Sequence, residues 1–127
     1  MSATTRLDAR VFKTAWFSKA AKKARIQDSA LCTAIEQAVQ GQADDLGGGV
    51  IKKRLNANMH RAIILSKAGR CWIYAYLFAK KDRENIGADE LMQFRELARA
   101  YGKLNEQQIE QMIVSNHFVE ICHDIKH

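Results

Sequence analysis

Three β-type segments follow one another in the middle of the chain with very short gaps between them. They cover residues 50–55, 61–66 and 70–79, and the last two are rich in the β-branched and aromatic side chains that a half-buried sheet prefers. A short glycine-containing loop, residues 67–69, joins the second segment to the third. A parallel crossover needs a dozen or more residues, so gaps this short force antiparallel pairing. The sequence therefore predicts a mainly antiparallel sheet.

Helical segments with apolar stripes flank this sheet on both sides. A strand of about five residues is predicted before them, within residues 10–16. The helices are predicted at residues 16–25, from the N-cap Asp28 to the stop at Gly41, from Asp89 to Gly102, and from the N-cap Asn105 onward. Residues 117–122 are predicted to close the chain as a short strand. The pattern predicts an α+β fold. An N-terminal helical hairpin packs on a small, mainly antiparallel twisted sheet, and C-terminal helices follow. We expect one domain over residues 1–127, with a short C-terminal helical extension from about residue 104.

Residues 42–49 are predicted to be a loop, and they end in three consecutive glycines. A phosphate-binding loop would lead into a helix, and an NTPase loop would carry Gly-Lys-Ser/Thr. A strand follows here instead. The glycines are therefore interpreted as a flexible entry to that strand.

The positive charge of the chain is unevenly distributed. The net charge is +6, but residues 1–86 contain 16 Lys and Arg against 7 Asp and Glu, whereas residues 87–127 contain 4 against 7. Residues 50–83 hold nine of the cations and one carboxylate. Because these residues are predicted strands, their charges are fixed on a folded surface that attracts polyanions such as nucleic acid. The alternative is a solvated surface that only keeps the protein soluble.

Cysteine usage and hydropathy bear on location. The three cysteines have no C-x-x-C spacing and cannot all pair, so we interpret Cys32, Cys71 and Cys122 as reduced thiols of a cytoplasmic protein. No apolar run approaches the roughly 20 residues of a membrane helix, and residues 1–10 lack the apolar core of a secretory signal. We therefore expect no membrane association.

Alternation along the strands predicts where the cations point. Lys52 and Arg54 share one face of their strand, and Lys53 points to the other face. Arg61 opens the neighbouring strand near the hairpin end, and Lys80 and Lys81 follow the third strand. Tyr74 and Tyr76 are two residues apart, so both are expected to face the same way, either into the core or towards an RNA base.

Such a cluster suits cleavage of RNA without a metal. This reaction needs a base for the ribose 2′-hydroxyl, cations for the charge on the phosphorane, and an acid for the leaving 5′-oxygen. A lysine among other cations has a lowered pKa, and arginine can hold two phosphate oxygens. The spacing of the His and Cys residues at the C-terminus, including His123 and His127, fits no standard zinc pattern, and no cofactor motif is present.

Three stretches resemble the RelE/HigB-like toxins of type II toxin–antitoxin modules, in the RelE/ParE superfamily. They are residues 10–14 (RVFKT), residues 44–54 (DDLGGGVIKKR) and residues 78–86 (FAKKDRENI), which lead into Asp-Glu-Leu at 89–91. The resemblance runs in register from about residue 10 to residue 122. It implies the same α+β fold and an endoribonuclease that cleaves mRNA, typically at the ribosome and without metal, and so inhibits translation.

The resemblance also implies partners and site residues. The partners would be mRNA, the ribosome and a cognate antitoxin of the helix-turn-helix type, with operator DNA contacted only through the antitoxin. The family's catalytic positions correspond to Lys52, Arg54, Arg61 and Lys80. The surrounding RNA-binding set is predicted to be Lys53, Lys67, Arg70, Lys81, Arg83, Tyr76 and His60.

One departure from the family pattern precedes Arg61. Relatives have a longer loop rich in glycine and lysine there, whereas this chain has only residues 56–60, and His60 stands where an aromatic residue is common. His60 is either a turn residue or a proton carrier, a role for which imidazole groups are generally suited at neutral pH. Two alternative functions remain open: a ParE-like toxin that binds DNA gyrase, and a weakened, non-enzymatic relative that binds RNA or antitoxin.

Overall fold

The computed structural model describes residues 9–67 and 70–122. Within them the chain is α+β, with a six-stranded mixed sheet and four helices. The elements in chain order are β1 (Arg10–Thr14), α1 (Ala15–Lys23), α2 (Asp28–Val39), β2 (Asp44–Gly47), β3 (Val50–Leu55), β4 (His60–Lys67), β5 (Cys71–Ala79), α3 (Ala88–Gly102), α4 (Glu106–Val114) and β6 (Phe118–Ile121). Residues 1–8, 68–69 and 123–127, which include His123 and His127, lie outside the described residues, and with them the predictions made there. No described helix is both long and apolar enough to cross a membrane.

The sheet has the order β2-β3-β4-β5-β1-β6. The short gaps produce the predicted antiparallel pairs β3–β4 and β4–β5, but β1 pairs with β5 in parallel. Four of the five strand pairs are antiparallel, so the sheet is mainly antiparallel as predicted, but the parallel β1–β5 pair makes it a mixed sheet. Both N-terminal helices and three strands separate β1 from β5 along the chain, so the gap argument did not constrain this pair.

The predicted loop at residues 42–49 was wrong in part, because it contains the edge strand β2. Asp44 pairs with Lys52 and Asp45 with Ile51 in antiparallel register. The sequence of β2 is Asp-Asp-Leu-Gly, which has no β-branched or aromatic residue. This strand forms because it pairs with β3, and no pattern in its own sequence predicts it.

Helices cover both faces of the sheet. One core lies on the face that packs against α1 and α2, and it includes Val11, Phe17, Leu31, Ile35, Ile64 and Tyr74. The second core lies on the face that packs against α3 and α4, and it includes Phe12, Val50, Ile63, Leu65, Ala98, Ile109 and Phe118. Helix α1 contacts mainly β5 and β1, whereas α2 contacts β3, so the two helices cover different strands. The two helices lie against the same core, as the predicted hairpin would, but they pack over different strands.

A β-bulge in β5 corrects the expectation that Tyr74 and Tyr76 face the same way. Tyr74 pairs with Ile64 and Tyr76 with Ile63, so Ala75 has no partner residue on β4. The extra residue reverses the alternation. Tyr74 is buried in the first core, and its hydroxyl donates to the Leu31 carbonyl at 2.6 Å, whereas Tyr76 packs against the second core.

Two predicted helix N-caps have different outcomes. Asn105 caps α4 as predicted, because its side chain accepts a hydrogen bond from the Gln108 backbone. The N-cap of α2 is Gln27 instead of Asp28, which is already inside the helix. The Asp28 carboxylate pairs with the Lys13 ammonium at 2.8 Å and still lies in the first turn, where negative charge is favourable.

The glycines that precede β3 have a steric role. Gly48 has a φ of +65°, and a Cβ there would lie 2.7 Å from Cγ of Arg95 on α3. Arg95 in turn donates hydrogen bonds to the carbonyl groups of Leu46 and Gly47. The glycine segment therefore leaves space for the Arg95 side chain, besides leading into β3.

The interpretation of all three cysteines as reduced thiols was wrong. Cys32 on α2 and Cys122 after β6 form a disulfide with a Cα–Cα distance of 5.5 Å, although 90 positions separate them. Pairing of β6 with β1 brings the end of the described chain beside α2, and spacing in the sequence cannot reveal such a contact. Cys71 is free and buried. Cysteine usage therefore gives no support to a cytoplasmic location.

Candidate functional site

Three cations share one face of β3 and β4 near the turn that joins these strands. Arg54 lies directly opposite Arg61, and Arg61 lies opposite Phe78 on β5. Lys52 lies two residues before Arg54 on the same face. We call Lys52, Arg54 and Arg61 the basic face. The core beneath α3 and α4 extends along this face as far as Ile63 and Phe78, which pair with Lys52 and Arg61, so the cations lie at the turn end of that core.

Arg61 is held in place by the turn that precedes it. It is 8% exposed, and its Nη1 atom donates to the carbonyl oxygens of Asn58 and His60 at 3.0 and 3.2 Å. Within the described part of the chain, Nε and Nη2 of Arg61 have no hydrogen-bond partner. The guanidinium is thus fixed on one side and keeps donors for a bound phosphate on the other.

The turn itself has an unusual backbone. Asn56, Ala57 and Asn58 all have positive φ values, of 54°, 53° and 71°. Left-handed conformations cost energy for residues other than glycine, and asparagine tolerates them better than alanine does. The short loop therefore takes a strained path that ends at the Arg61 side chain, where strain is typical of functional sites.

Arg54 and Lys52 differ in their surroundings. Arg54 is exposed and has no ion pair with any described residue. The Lys52 ammonium lies 3.8 Å from a carboxylate oxygen of Asp44 on β2. One carboxylate on an edge strand thus balances one of the three charges.

Lys53 points away from the basic face, as predicted, but its side chain reaches the same edge of the sheet. Strand β2 pairs with β3 only as far as Lys52, and beyond that point the edge is open. Side chains from both faces of β3 line a cleft of about 310 Å³ at this edge, and its lining residues are Gln42, Ala43, Asp44, Lys52, Lys53 and Arg54. Burial, followed by the nearby charge of Arg54, lowers the pKa of Lys53, which is 9% exposed. A lowered pKa is the direction of shift that favours proton transfer by a lysine near neutral pH.

Lys80, Lys81 and His60 line a second cleft on the other side of the turn. Ala79 pairs with His60, and the Lys80 backbone N–H donates to the Met59 carbonyl at 2.9 Å. The cleft has a volume of about 610 Å³. Nδ1 of His60 lies 3.1 Å from the Asn56 side-chain amide. The structure thus brings Lys80 to the same end of the sheet as the basic face, across the turn from Arg61.

Lys67 and Arg70 lie at the opposite end of the sheet. Lys67 pairs with Cys71 at the far end of β4, six residues from Arg61, or about 20 Å along a strand. Its ammonium donates to the Leu104 carbonyl at 2.9 Å. The structure does not bring these two predicted RNA-binding residues together with the others.

Arg83 is already paired. Its guanidinium makes a two-pronged contact with the Glu90 carboxylate, and it lies over the Phe78 ring at 5.6 Å. The hydrogen bond to Glu90 raises the pKa of Arg83, with a smaller contribution from Tyr76, and it lowers the pKa of Glu90. Arg83 therefore joins β5 to the start of α3, and its charge is balanced.

An aromatic residue that the sequence reasoning missed lies next to Tyr76. Trp16 on the first turn of α1 is 51% exposed, and its ring stacks on Tyr76 with a centroid distance of 5.0 Å. Tyr76 also contacts Phe78 and Phe94, each at 5.9 Å. The only signal in the sequence was a tryptophan at the start of an amphipathic helix, and that alone does not distinguish a core residue from an exposed one.

The geometry places two arginines opposite each other without a matching carboxylate among the described residues. Like charges directly opposite each other on neighbouring strands are destabilising, so the Arg54–Arg61 pair favours a bound anion. Among residues 9–67 and 70–122, no group of three or more His, Cys, Asp or Glu side chains is arranged to hold a metal ion. Phosphate binding by guanidinium groups is the chemistry that these residues offer.

Comparison with known proteins gives one match. Residues 9–121 match the model of a family described as the RelE toxin of the RelE/RelB toxin–antitoxin system. The matched range contains every described strand and helix, from β1 to β6. Neither the comparison with curated proteins nor the one with solved structures found a match.

Proposed function

This chain belongs to the RelE toxin family of toxin–antitoxin systems, and from that premise we propose that it is a metal-independent endoribonuclease. Its substrate is mRNA, cleaved at the ribosome, and the result is inhibition of translation. Toxins of this family pair with an antitoxin. We extend the proposal to a helix-turn-helix antitoxin that contacts operator DNA on behalf of both proteins, and to action in the cytoplasm, where translating ribosomes are. Residues 1–127 are proposed to act as one toxin domain, with the segment from about residue 104 as its extension.

The Arg54–Arg61 pair carries this proposal. The two guanidinium groups lie on adjacent strands, and neither forms an ion pair with any carboxylate in the described ranges. Clustered positive charge raises the free energy of the folded protein unless a polyanion relieves it. A ribonucleotide backbone is such a polyanion, and arginine matches its phosphate oxygens in pairs.

The proposed reaction is an attack of the ribose 2′-oxygen on the neighbouring phosphorus. The 2′-hydroxyl proton passes to a base, the bond from phosphorus to the 5′-oxygen breaks, and an acid protonates the leaving oxygen. The products are a 2′,3′-cyclic phosphate and a 5′-hydroxyl end. Arg54 and Arg61 stabilise the charge on the phosphorane. Lys52 and Lys80 are proposed to assist catalysis on the two sides of this pair, and Lys53, with its lowered pKa, is suited to proton transfer.

Mapping of mRNA 5′ ends after induction of the protein tests this function. We compare wild type with Arg54→Gln, because Arg54 is exposed and its loss should leave the fold intact. Arg61→Lys keeps a charge but removes the planar group that bonds the turn. Arg99→Gln, an exposed change on α3, is the control with the same loss of charge.

We expect new 5′-hydroxyl ends within coding regions for wild type and for Arg99→Gln. Both variants of the arginine pair should lose about 10²-fold or more in cleavage, the usual cost of removing one stabilising donor. Growth arrest with intact mRNA and a DNA-damage response would contradict the proposal and favour the gyrase-binding alternative. Absence of growth arrest and of cleavage would favour the non-enzymatic relative.

A further inference from the structure

We propose that Trp16 and Tyr76 form a stacking site for an unpaired RNA base beside the phosphate held by Arg61. The inference rests on the proposed function, since it assumes an RNA substrate, and it adds a residue that contacts the base. Trp16 is outside the set of cations that would bind phosphate. Its task would be to select and orient the base that flanks the cleaved bond.

The ring pair is prepared for a third ring. Tyr76 covers one side of the indole at a centroid distance of 5.0 Å and an interplanar angle of 29°. Trp16 is 51% exposed although Tyr76 covers one side of its ring, so the other side of the indole is accessible to a third ring. An aromatic ring with one free face is the common element of sites that stack RNA bases.

The position of Tyr76 links this site to the basic face. Tyr76 pairs with Ile63, which pairs with Lys52, and Phe78 in the next row pairs with Arg61. Tyr76 on β5 is therefore a diagonal neighbour of Arg61 on the adjacent strand β4, at about 7–8 Å between Cα atoms. A base on the rings and a phosphate on the guanidinium can thus belong to neighbouring parts of one nucleotide chain.

Both rings are held firmly. Strand β1 ends at Thr14, whose hydroxyl accepts a hydrogen bond from the Phe17 backbone at 3.1 Å, and this cap fixes the first turn of α1 that carries Trp16. Phe17 itself is buried against Tyr74, with ring centroids 4.8 Å apart. The indole is thereby directed outward by its own helix, and little side-chain freedom is lost when a base binds.

The cations favour RNA over a protein as the occupant. Lys52, Arg54 and Arg61 share the sheet face that carries Tyr76, and the carboxylate of Glu90 is already bound by Arg83. A polyanion with flat rings matches this combination of charge and aromatic surface. Binding of an antitoxin side chain to the rings is an outcome that the experiment below distinguishes.

Tryptophan fluorescence gives a direct test, because the chain contains only Trp16 and Trp72. Trp72 is 6% exposed and serves as the internal control. The probe is a single-stranded hexanucleotide with 2′-O-methyl riboses, which cannot be cleaved. We expect it to quench the fluorescence of wild type and of Trp72→Phe, and an oligonucleotide of the same length with abasic riboses should quench neither.

Affinity and cleavage complete the test. Trp16→Leu should weaken hexanucleotide binding by at least about fivefold, the lower limit for loss of one stacked base, and should spread the cleavage sites over all flanking bases. Val39→Ala changes a side chain of similar exposure on α2 and should behave as wild type. Circular dichroism verifies that each variant is folded.

The outcomes separate the two proposals. If wild type cleaves mRNA and Trp16→Leu shows the same affinity and the same cleavage sites, the stacking site is refuted and the nuclease stands. If wild type does not cleave and does not bind the hexanucleotide, both proposals fail. If the hexanucleotide is bound without quenching, or if only an antitoxin peptide quenches Trp16, the assignment of the rings to an RNA base is refuted.

Discussion

Reduction of the Cys32–Cys122 disulfide is expected to lower the stability of the protein by several kcal/mol. The bond closes a loop whose ends are 90 positions apart, and it joins α2 to the end of β6. A cross-link of this span reduces the entropy of the unfolded chain by an amount equivalent to about 4.6 kcal/mol at 25 °C, while measured values for native disulfides are typically about 2–4 kcal/mol. For 127 residues the unfolding entropy is about 0.27 kcal/mol per degree, so Tm should fall by about 7–17 °C.

Thermal unfolding with and without dithiothreitol measures this effect. Cys32→Ser combined with Cys122→Ser should unfold near the temperature of the reduced wild type, and reductant should no longer change its Tm. Cys71→Ala is the control, since Cys71 is buried and free and should leave the effect of the reductant intact. Titration of thiols in denaturant should find one per oxidised chain and three after reduction.

An equal Tm in the presence and absence of reductant, together with three free thiols, would refute the reasoning. Cleavage activity offers a second check, because the disulfide lies away from the basic face. Below the lowered Tm, the reduced protein should cleave as the oxidised protein does. A loss of activity without unfolding would show that the disulfide also helps to position the basic face.

Three further perturbations follow from the site geometry. Lys53→Met should raise the free energy of unfolding near pH 7, because the buried ammonium group is removed. The difference between variant and wild type should shrink as pH rises from the lowered pKa of folded Lys53 towards the unfolded value of about 10.4, since over that range the unfolded chain keeps a proton that the folded chain has lost. Urea unfolding at a series of pH values measures this difference. Ala57→Gly should raise the free energy of unfolding by about 1 kcal/mol, since glycine adopts a φ of +53° without strain; a loss of stability would contradict the left-handed turn. Glu90→Gln should keep the capping hydrogen bond from the Gly87 backbone but remove the carboxylate that balances Arg83. If Arg83 then contacts an RNA phosphate, the slope of the logarithm of the hexanucleotide binding constant against the logarithm of salt concentration should steepen by about 0.7. An unchanged slope would show that Arg83 does not contact the RNA.

The sequence predicted those parts of the fold that local pattern decides. Strand β3 has the predicted bounds, and Asn105 caps α4, because alternation and capping are properties of neighbouring residues. The edge strand β2, the bulge at Ala75 and the Cys32–Cys122 bond depend on partners distant in the sequence. No local pattern carries that information, so these features were missed.

The candidate site shows the same division. Alternation placed Lys52 and Arg54 on one face, and the short hairpin placed Arg61 near the same end of the sheet. The direct pairing of Arg54 with Arg61 is a detail that only the structure provides. The positions of Lys67 and Arg70 were misjudged because charge counted along the chain ignores strand length, which separates the two ends of β4 by about 20 Å. Trp16 was missed because its contact with Tyr76 joins elements far apart in the chain.

Several cations outside the basic face pair with carboxylates, so the arginines of the basic face, unpaired among the described residues, say more about a possible ligand than the net charge does. Arg10 is held by Glu120 and Glu110, Lys13 by Asp28, and Arg83 by Glu90. In these three places a carboxylate balances a cation that also has structural contacts. In the described part of the chain no carboxylate pairs with Arg54 or Arg61, which lie opposite each other on β3 and β4. The carboxylate of Asp44 on β2 pairs with Lys52 instead. An unbalanced pair fixed by a strained turn costs stability, and that cost is explained if the missing counter-charge comes from the phosphate of a substrate.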